Sequence, residues 1–373
     1  MGAAGSWPLI LSKRGGLDAV RVPAYGVAAS WEIGAAGTLS AFVRLSDLSA
    51  ARIDPDLTGR WVGLACGAAG RWGGVVTSAT VRGGEVEIGA TGWAVLASGR
   101  VARRALRYPA LGPAELLRRL LSDLFDGASF LRLDRVGGAG DATGLEVGAG
   151  DDVGDLLARI AEGANVEWRV DADRVVEVAP RLGRDLTGSV RLVGERHFAD
   201  EEASLTFDLL AVENRLVGFG AEAEDEAGAE AAGGLEVADA GSVARVGPRE
   251  AARRYPDVRG GANLAPRLRR DVATAANPAV PLTLETRDVD GMWARFQEGD
   301  TVRVSLGLVG MEVDFRVMAR AWDGDAGTQA LAGEATRRSL PVAPPRRVRV
   351  QANDLRAVAN AAGNVVEVER WTA

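Results

Sequence analysis

A single hairpin constrains this chain more than any other feature. Trp72 to Arg82 is a run of strand-forming residues, Gly83-Gly84 follows, and Glu85 to Thr91 is a second run. Paired glycines supply the positive φ of a two-residue turn, so Val75–Val81 is predicted to pair with Val86–Ile88. The same grammar surrounds it. Ser30 to Leu45 reads as a strand, a Gly34–Gly37 turn and a second strand with Leu39, Ala41, Val43 and Leu45 on one face. Trp61 to Ala65 is another. Short strands at spacings of about 8–12 residues point to a small barrel or sandwich.

The pattern changes near Arg100. Pro113 to Phe125 is predicted to be an amphipathic helix, with Pro113 in its first turn and Leu116, Leu117, Leu120, Leu121 and Leu124 in one stripe. A second helix starts at Asp151 or Asp152, acidic residues at the positive end of the dipole, and runs through Leu156, Leu157 and Ile160. Val166–Val170 and Arg174–Val178 then alternate around the turn Asp171-Ala172-Asp173. From Ser189 the β pattern returns: Leu205–Phe219 and Glu236–Val246 contain strands, and Arg249–Ala276 is partly helical. Pro281–Arg287, Thr301–Leu308 and Glu312–Ala321 are strands, with Glu298-Gly299-Asp300 as a turn. Pro341–Pro345 is a linker before an arm in which Val348–Val350 and Val365–Val368 bracket Gly363-Asn364.

The expected fold class is α+β, mainly β: two barrel-like β domains with an α/β domain between them and a short C-terminal β arm. The expected boundaries are 1–100, 101–188, 189–340 with a helical insertion, and 341–373. An echo accompanies the two β modules. Arg103-Arg104 precedes Arg107-Tyr108-Pro109, and Arg253-Arg254 precedes Tyr255-Pro256.

Composition removes most chemistry. Cys66 has no intrachain partner and His197 is the only imidazole, which excludes Cys/His zinc sites and Ser-His-Asp triads. Lys13, the only lysine, follows Ser12 rather than the glycine of a phosphate loop. Net charge −7 argues against a sequence-independent nucleic-acid binder. Nothing approaches ~18 uninterrupted apolar residues, so no membrane segment is expected. At 373 residues the chain can bury ~75% of its unfolded surface without a disulfide or metal staple.

The remaining constellations have plain structural readings. Asp323, Asp325 and Glu334 stand at positions 1, 3 and 12 of a calcium-loop frame, but Gly327 and Thr328 occupy the fifth and sixth, so the segment reads as a polar turn. Asp151, Asp152 and Asp155 read as helix-capping residues rather than a cation site. Gly137–Gly144 has Thr143 where a dinucleotide fingerprint needs glycine, and reads as a loop. No Gly-x-Ser-x-Gly elbow occurs. His197 reads as structural, and Trp31, Trp61, Trp72, Trp93 and Trp168 as core or contact residues. A glycosidase acid pair has no spacing rule, so a cell-wall hydrolase working through an unidentified Asp/Glu pair stays open as the alternative. No catalytic residue, cofactor or metal ligand is assigned.

The ordered pattern resembles a family. Trp31–Leu45, Trp61-Val62-Gly63-Leu64, Arg71-Trp72-Gly73-Gly74-Val75-Val76 and Val86-Glu87-Ile88-Gly89-Ala90-Thr91-Gly92-Trp93 look like the opening barrel of phage tail hub, or baseplate hub, proteins. Asp152–Glu162 followed by Val166-Glu167-Trp168-Arg169-Val170 is similar to the family's second domain. Phe296–Val304 with Phe315–Trp322 resembles its late "G-D-x-V" barrel. The resemblance covers most of residues 15–340.

It implies a non-enzymatic tail-tip component of a phage or phage-like particle, made in the host cytoplasm and carried in the virion. It implies a homotrimer whose two barrels per chain build a pseudo-sixfold ring. Such a ring adapts the sixfold tube to a threefold tip around the DNA-ejection channel. The implied partners are the distal tail protein or tail-tube ring, the tape-measure protein, a central fibre or tip protein, and DNA in transit without specific binding. Relatives of this kind often carry a lysin, which the short stretch after Pro341 does not provide. A different ring, such as the distal tail protein, is a further alternative.

Two features fit that plan. A DNA conduit avoids phosphate affinity, and Glu222, Glu224, Asp225, Glu226 and Glu230 form an acidic loop expected to reach the lumen. The arm, with Val348, Val350, Val366, Val368 and Trp371, is expected to add to a neighbouring subunit or to anchor a central fibre.

Overall fold

The computed structural model describes residues 6–98, 100–124, 131–136, 140–198, 204–205, 211–220, 234–255, 261–276, 280–306 and 311–337. The chain divides into two compact units. One takes in residues up to Ala203 together with Thr283–Gly333; the other is Ser204–Leu282 with Glu334–Thr336.

The first unit is mainly β. Six antiparallel strands close into a barrel: β1 (Trp7–Ser12), β2 (Val20–Glu32), β3 (Thr38–Arg44), β4 (Trp61–Ala65), β5 (Arg71–Arg82) and β6 (Glu85–Gly92). The order is β1-β4-β5-β6-β3-β2, and pairing of β1 with β2 completes the ring. Period-two alternation dictates which residues face inward: Leu9, Leu11, Val22, Leu39, Ala41, Val43, Val62, Leu64, Val86 and Ile88 are all buried. The hairpin predicted at Gly83-Gly84 is present, with Arg82 opposite Glu85 and both glycines at positive φ. Leu45, expected to extend the β3 face, instead begins a short helix, Leu45–Ala50.

β2 also carries the chain out of the barrel. Its register shifts between Tyr25 and Ala28, and beyond the shift Ala28–Glu32 pair with Ala319–Asp323. Gly26 makes this possible: φ is +57°, and a Cβ there would sit 2.6 Å from the Phe42 ring. The strand Met311–Asp323 belongs to the second β region, which also contains Arg191–Val193 and Thr301–Leu306. Thr301–Leu306 pairs antiparallel with Met311–Arg316 and parallel with Arg191–Val193.

Between these β regions lies the α/β part of the same unit. Helices Pro113–Leu124 and Val153–Gly163 share one core with the strands Leu106–Leu111 and Thr143–Val147, built on Leu116, Leu120, Leu156 and Ile160. Asp152 is the N-cap of the second helix and accepts from the backbone N–H of Gly154 at 2.7 Å. The strands Glu167–Val170 and Val175–Ala179 form the expected hairpin, joined in parallel by Arg132–Val136.

The second unit contains a three-stranded sheet, Leu235–Ala238, Arg215–Gly220 and Glu250–Tyr255, with the helix Gly261–Ala275 packed on it through Leu264, Leu268 and Val272. Two expectations are corrected here. The strand expected over Glu236–Val246 stops at Ala238, because Asp239 caps a helix, Ala240–Val246, by accepting from the Ser242 N–H at 2.7 Å. The stretch Arg249–Ala276, expected to be helical with interruptions, opens as a strand. Ala251 and Tyr255 alternate onto the helix-covered face, and Glu250–Tyr255 pairs in parallel with Arg215–Gly220.

The Arg-Arg/Tyr-Pro echo has a structural counterpart in each unit. Tyr108 ends its hydrogen-bonding reach on Asp123, donating to Oδ2 at 2.8 Å, and Tyr255 donates to Asp271 Oδ2 at 2.5 Å. Each tyrosine sits on a strand and each acceptor on the helix that follows. Burial is the main cause of a raised hydroxyl pKa at both, to about 12 for Tyr255, so both stay protonated donors.

Candidate assembly joint

The first unit holds its α/β part to its β regions through buried charge. The turn Glu298-Gly299-Asp300 lies at the centre. Glu298 is 8% exposed and Asp300 fully buried. Gly299 has φ +94° and packs backbone to backbone against Gly183, at φ +89°; a Cβ on Gly183 would stand 2.0 Å from the Gly299 carbonyl carbon. Asp300 then accepts from the backbone N–H groups of Arg184 at 2.7 Å and Gln297 at 3.0 Å. That closes the turn onto the chain leaving the hairpin.

From Glu298 an alternating ladder runs both ways. Arg320 donates from Nε to Glu298 Oε2 at 2.9 Å, reaches Ala69 O at 3.1 Å, and lies 4.9 Å over the Trp31 ring. Arg169 donates to Glu298 O at 2.5 Å and to Glu177 Oε2 at 2.7 Å. Arg135 completes the run by donating to Glu177 Oε1 at 2.6 Å. Beside it, Arg316 grips Glu167 with both terminal nitrogens, at 2.7 and 2.5 Å. Burial pushes the Glu177 carboxyl up, but Arg135 and Arg169 together outweigh it and hold the group below the usual carboxylate range.

Tryptophans reinforce the same joint. Trp93 donates to Ala172 O at 2.9 Å, Trp72 to Ser30 O at 3.0 Å, and Trp31 to Arg71 O at 3.1 Å. Arg71 in turn forks onto Asp173 at the hairpin tip, at 3.0 and 2.5 Å. The cleft these residues border, including Trp31, Trp72, Arg169 and Glu298, is small, about 30 Å³.

Glu222, Glu224, Asp225, Glu226 and Glu230 lie outside the described residues, as do Val348, Val350, Val366, Val368 and Trp371. Asp323 accepts from the backbone N–H groups of Asp325 and Ala326, and Asp325 from that of Gly26 at 3.1 Å, so these carboxylates serve turns. Asp151 accepts from Gly148 N at 2.9 Å and pairs with Arg159 at 3.1 Å. His197 is buried and its Nδ1 accepts from Val193 N at 3.0 Å; burial lowers its pKa, leaving a neutral structural ring. Burial likewise pushes the Cys66 thiol up to about 12, an unreactive state. No helix of the described residues is long and apolar enough to cross a membrane.

The ladder went unread in the sequence. Its members lie up to 251 residues apart, as Ala69 and Arg320 do, and no spacing rule links them. The one available signal was the Glu298-Gly299-Asp300 turn itself.

No protein-family model matches the chain, and no curated protein matches it in sequence. Solved structures do share its fold. The 43 kDa tail protein of prophage MuSo2 from Shewanella oneidensis aligns with TM-score 0.63 and 12% identity, over 88% of this chain and 98% of that one. The prophage tail protein gp18 from Listeria monocytogenes aligns with TM-score 0.60 and 12% identity, over 89% and 95%. The Escherichia coli c3393 protein is a type VI secretion component described as structurally similar to the T4 tail proteins gp27 and gp5. It aligns with TM-score 0.51 and 12% identity, over 88% and 77%. The fold is thus one shared with these phage tail proteins, over close to nine-tenths of this chain.

Proposed function

We propose that this chain is a structural component of the tail tip of a phage or phage-like particle, acting as a trimeric hub without catalytic residues. The observation that carries the reading is near end-to-end fold likeness to prophage tail proteins by a chain whose buried charges are committed to a joint. A hub must present its barrels at fixed angles to a ring, and a glycine-packed, ion-laddered joint serves that need. The ring would adapt the sixfold tube to a threefold tip, contact the distal tail protein or tube ring, and meet the tape-measure protein and a central fibre.

Three copies at −7 each carry −21, and Glu222, Glu224, Asp225, Glu226 and Glu230 would add acidity at the channel, so that DNA passes without phosphate affinity. The test is an electron-microscopy map of particles carrying a tagged chain. Threefold density at the tube's end is expected; label elsewhere, or in a sixfold ring only, overturns the hub.

A further inference from the structure

A short strap, residues 191–198, ties together the two ends of a run of strands in the second β region. Thr301–Leu306, Met311–Asp323, Thr328–Arg337 and Val280–Arg287 lie side by side in that order. Arg191–Val193 lies parallel on the first, opposite Arg303–Ser305, and Phe198 bridges Thr286 of the last. One turn of helix, Gly194–His197, joins these two attachments.

His197 fixes that turn. It is 4% exposed, and its Nδ1 accepts from the backbone N–H of Val193, the residue before the turn, at 3.0 Å. A ring that accepts at Nδ1 is neutral and carries its proton on Nε2. A second proton, taken from solvent onto Nδ1, would set donor against donor and place a charge in a buried site. The Val193 bond and the charged ring therefore exclude each other. His197 is also the only imidazole, so no other side chain titrates near pH 6 by its ordinary value.

We propose that residues 191–198 form an acid-sensitive latch, released from the sheet when His197 takes up a proton at Nδ1, which bares the backbone edge of Thr301–Leu306.

The charges around the ring are committed to one another. Arg196, on the same turn, pairs with Asp290, and Arg191, on the attached strand, pairs with Glu312. Arg303 of the underlying strand stands 3.7 Å from Asp314, and Glu285 and Arg287, which flank Thr286, are exposed. Burial holds the His197 pKa below its ordinary value and the Arg196 charge adds to this; Asp290 works against both. Once freed, the ring titrates at about 6.5. The latch is therefore fully closed above that pH. Below it, the opened fraction rises up to about tenfold per pH unit until the closed ring itself titrates. Glu177 titrates lower, so the ladder and the latch respond in separate windows. The latch lies within one chain and is independent of the trimer.

The test is amide exchange of the full chain at pH 7.5 and 5.5, corrected for intrinsic rates. Protection of Leu192–Phe198 is expected to fall several-fold, up to about tenfold, while Thr38–Arg44 of the barrel keeps its protection. Unchanged protection of the strap, or an equal fall in both segments, overturns the latch. His197→Asn keeps an acceptor for the Val193 N–H and cannot titrate. It is expected to hold the strap at pH 7.5 and to abolish the acid response; the same fall in this variant overturns the role of His197. The native chain gives a second readout that needs no variant, the ¹⁵N shifts of its single imidazole. A neutral ring with the proton on Nε2 at pH 7.5 and a midpoint below about 6.5 are expected. A proton on Nδ1 at pH 7.5, or a midpoint at or above that value, overturns the proposal.

Discussion

The joint at Glu298-Gly299-Asp300 and the barrel lip at Thr77–Arg82 treat polar groups in opposite ways. At the joint, charges are matched in an alternating ladder that runs inward from exposed Arg135 through part-buried Glu177 to Arg169, Glu298 and Arg320, these last three 8% exposed or less, with backbone carbonyls taking the spare donors. At the lip, half a strand's outward groups have no protein partner among the described residues. A buried unpaired charge costs several kcal/mol, so the joint must be complete within one chain. An exposed edge can be left to water until another strand arrives, which makes it suitable for a contact formed only on assembly.

The sharpest way to break this contrast is Arg320→Met, which leaves the buried Glu298 carboxylate with Arg169 alone, at 3.5 Å. A loss of ~3–5 kcal/mol is expected by chemical denaturation. The double change Arg320→Met/Glu298→Leu removes both charges together and is expected to recover much of that loss, since apolar replacement of a whole buried pair is often near neutral. A double variant as unstable as the single would mean that the ladder supplies more than mutual neutralisation.

Acid gives a smaller, graded effect. The Glu177 carboxyl is held below its ordinary value in the fold, so its contribution is fully present above the unfolded glutamate pKa of about 4.3. It is lost as pH falls through the depressed folded value. Glu177→Gln should therefore flatten the acid limb of the melting temperature measured from about pH 6 to about pH 3. An unchanged limb would remove Glu177 from the ladder's pH response. Least affected is the lip: Val81→Lys should change monomer stability by no more than about 0.5 kcal/mol, read from the same denaturation curves. A large loss there would mean that Val81 belongs to the barrel core.

Several elements were legible because their signals are local. Gly83-Gly84 forced a hairpin, the leucine stripe from Leu116 to Leu124 a helix, and Asp171-Ala172-Asp173 a turn whose Oδ1 of Asp171 accepts from Asp173 N and Val175 N at 2.8 and 2.9 Å. Misreadings came where local and distant preferences compete. Ala251–Tyr255 is rich in helix-tolerant residues, yet parallel pairing with Arg215–Gly220 makes it a strand. Asp239 turned an expected strand into a helix through one cap. The Tyr-Pro echo was visible as text, but its content, a tyrosine hydroxyl on a helix aspartate in each unit, required the two side chains to be brought together.

By itself the sequence determined the alternation that makes the chain mainly β, the turns that cut its strands, and the restriction of its histidine, cysteine and lysine to His197, Cys66 and Lys13. Those depend on neighbours a few residues away, within which backbone preference and side-chain period act. Only the tertiary structure decided that β2 passes from barrel to second sheet at Gly26, and that Gly183 meets Gly299 without room for a Cβ. It alone showed that arginines and glutamates scattered from Arg135 to Arg320 form one ladder. Charge pairing and close packing act through space and carry no sequence period, so they become readable only once the chain has closed on itself.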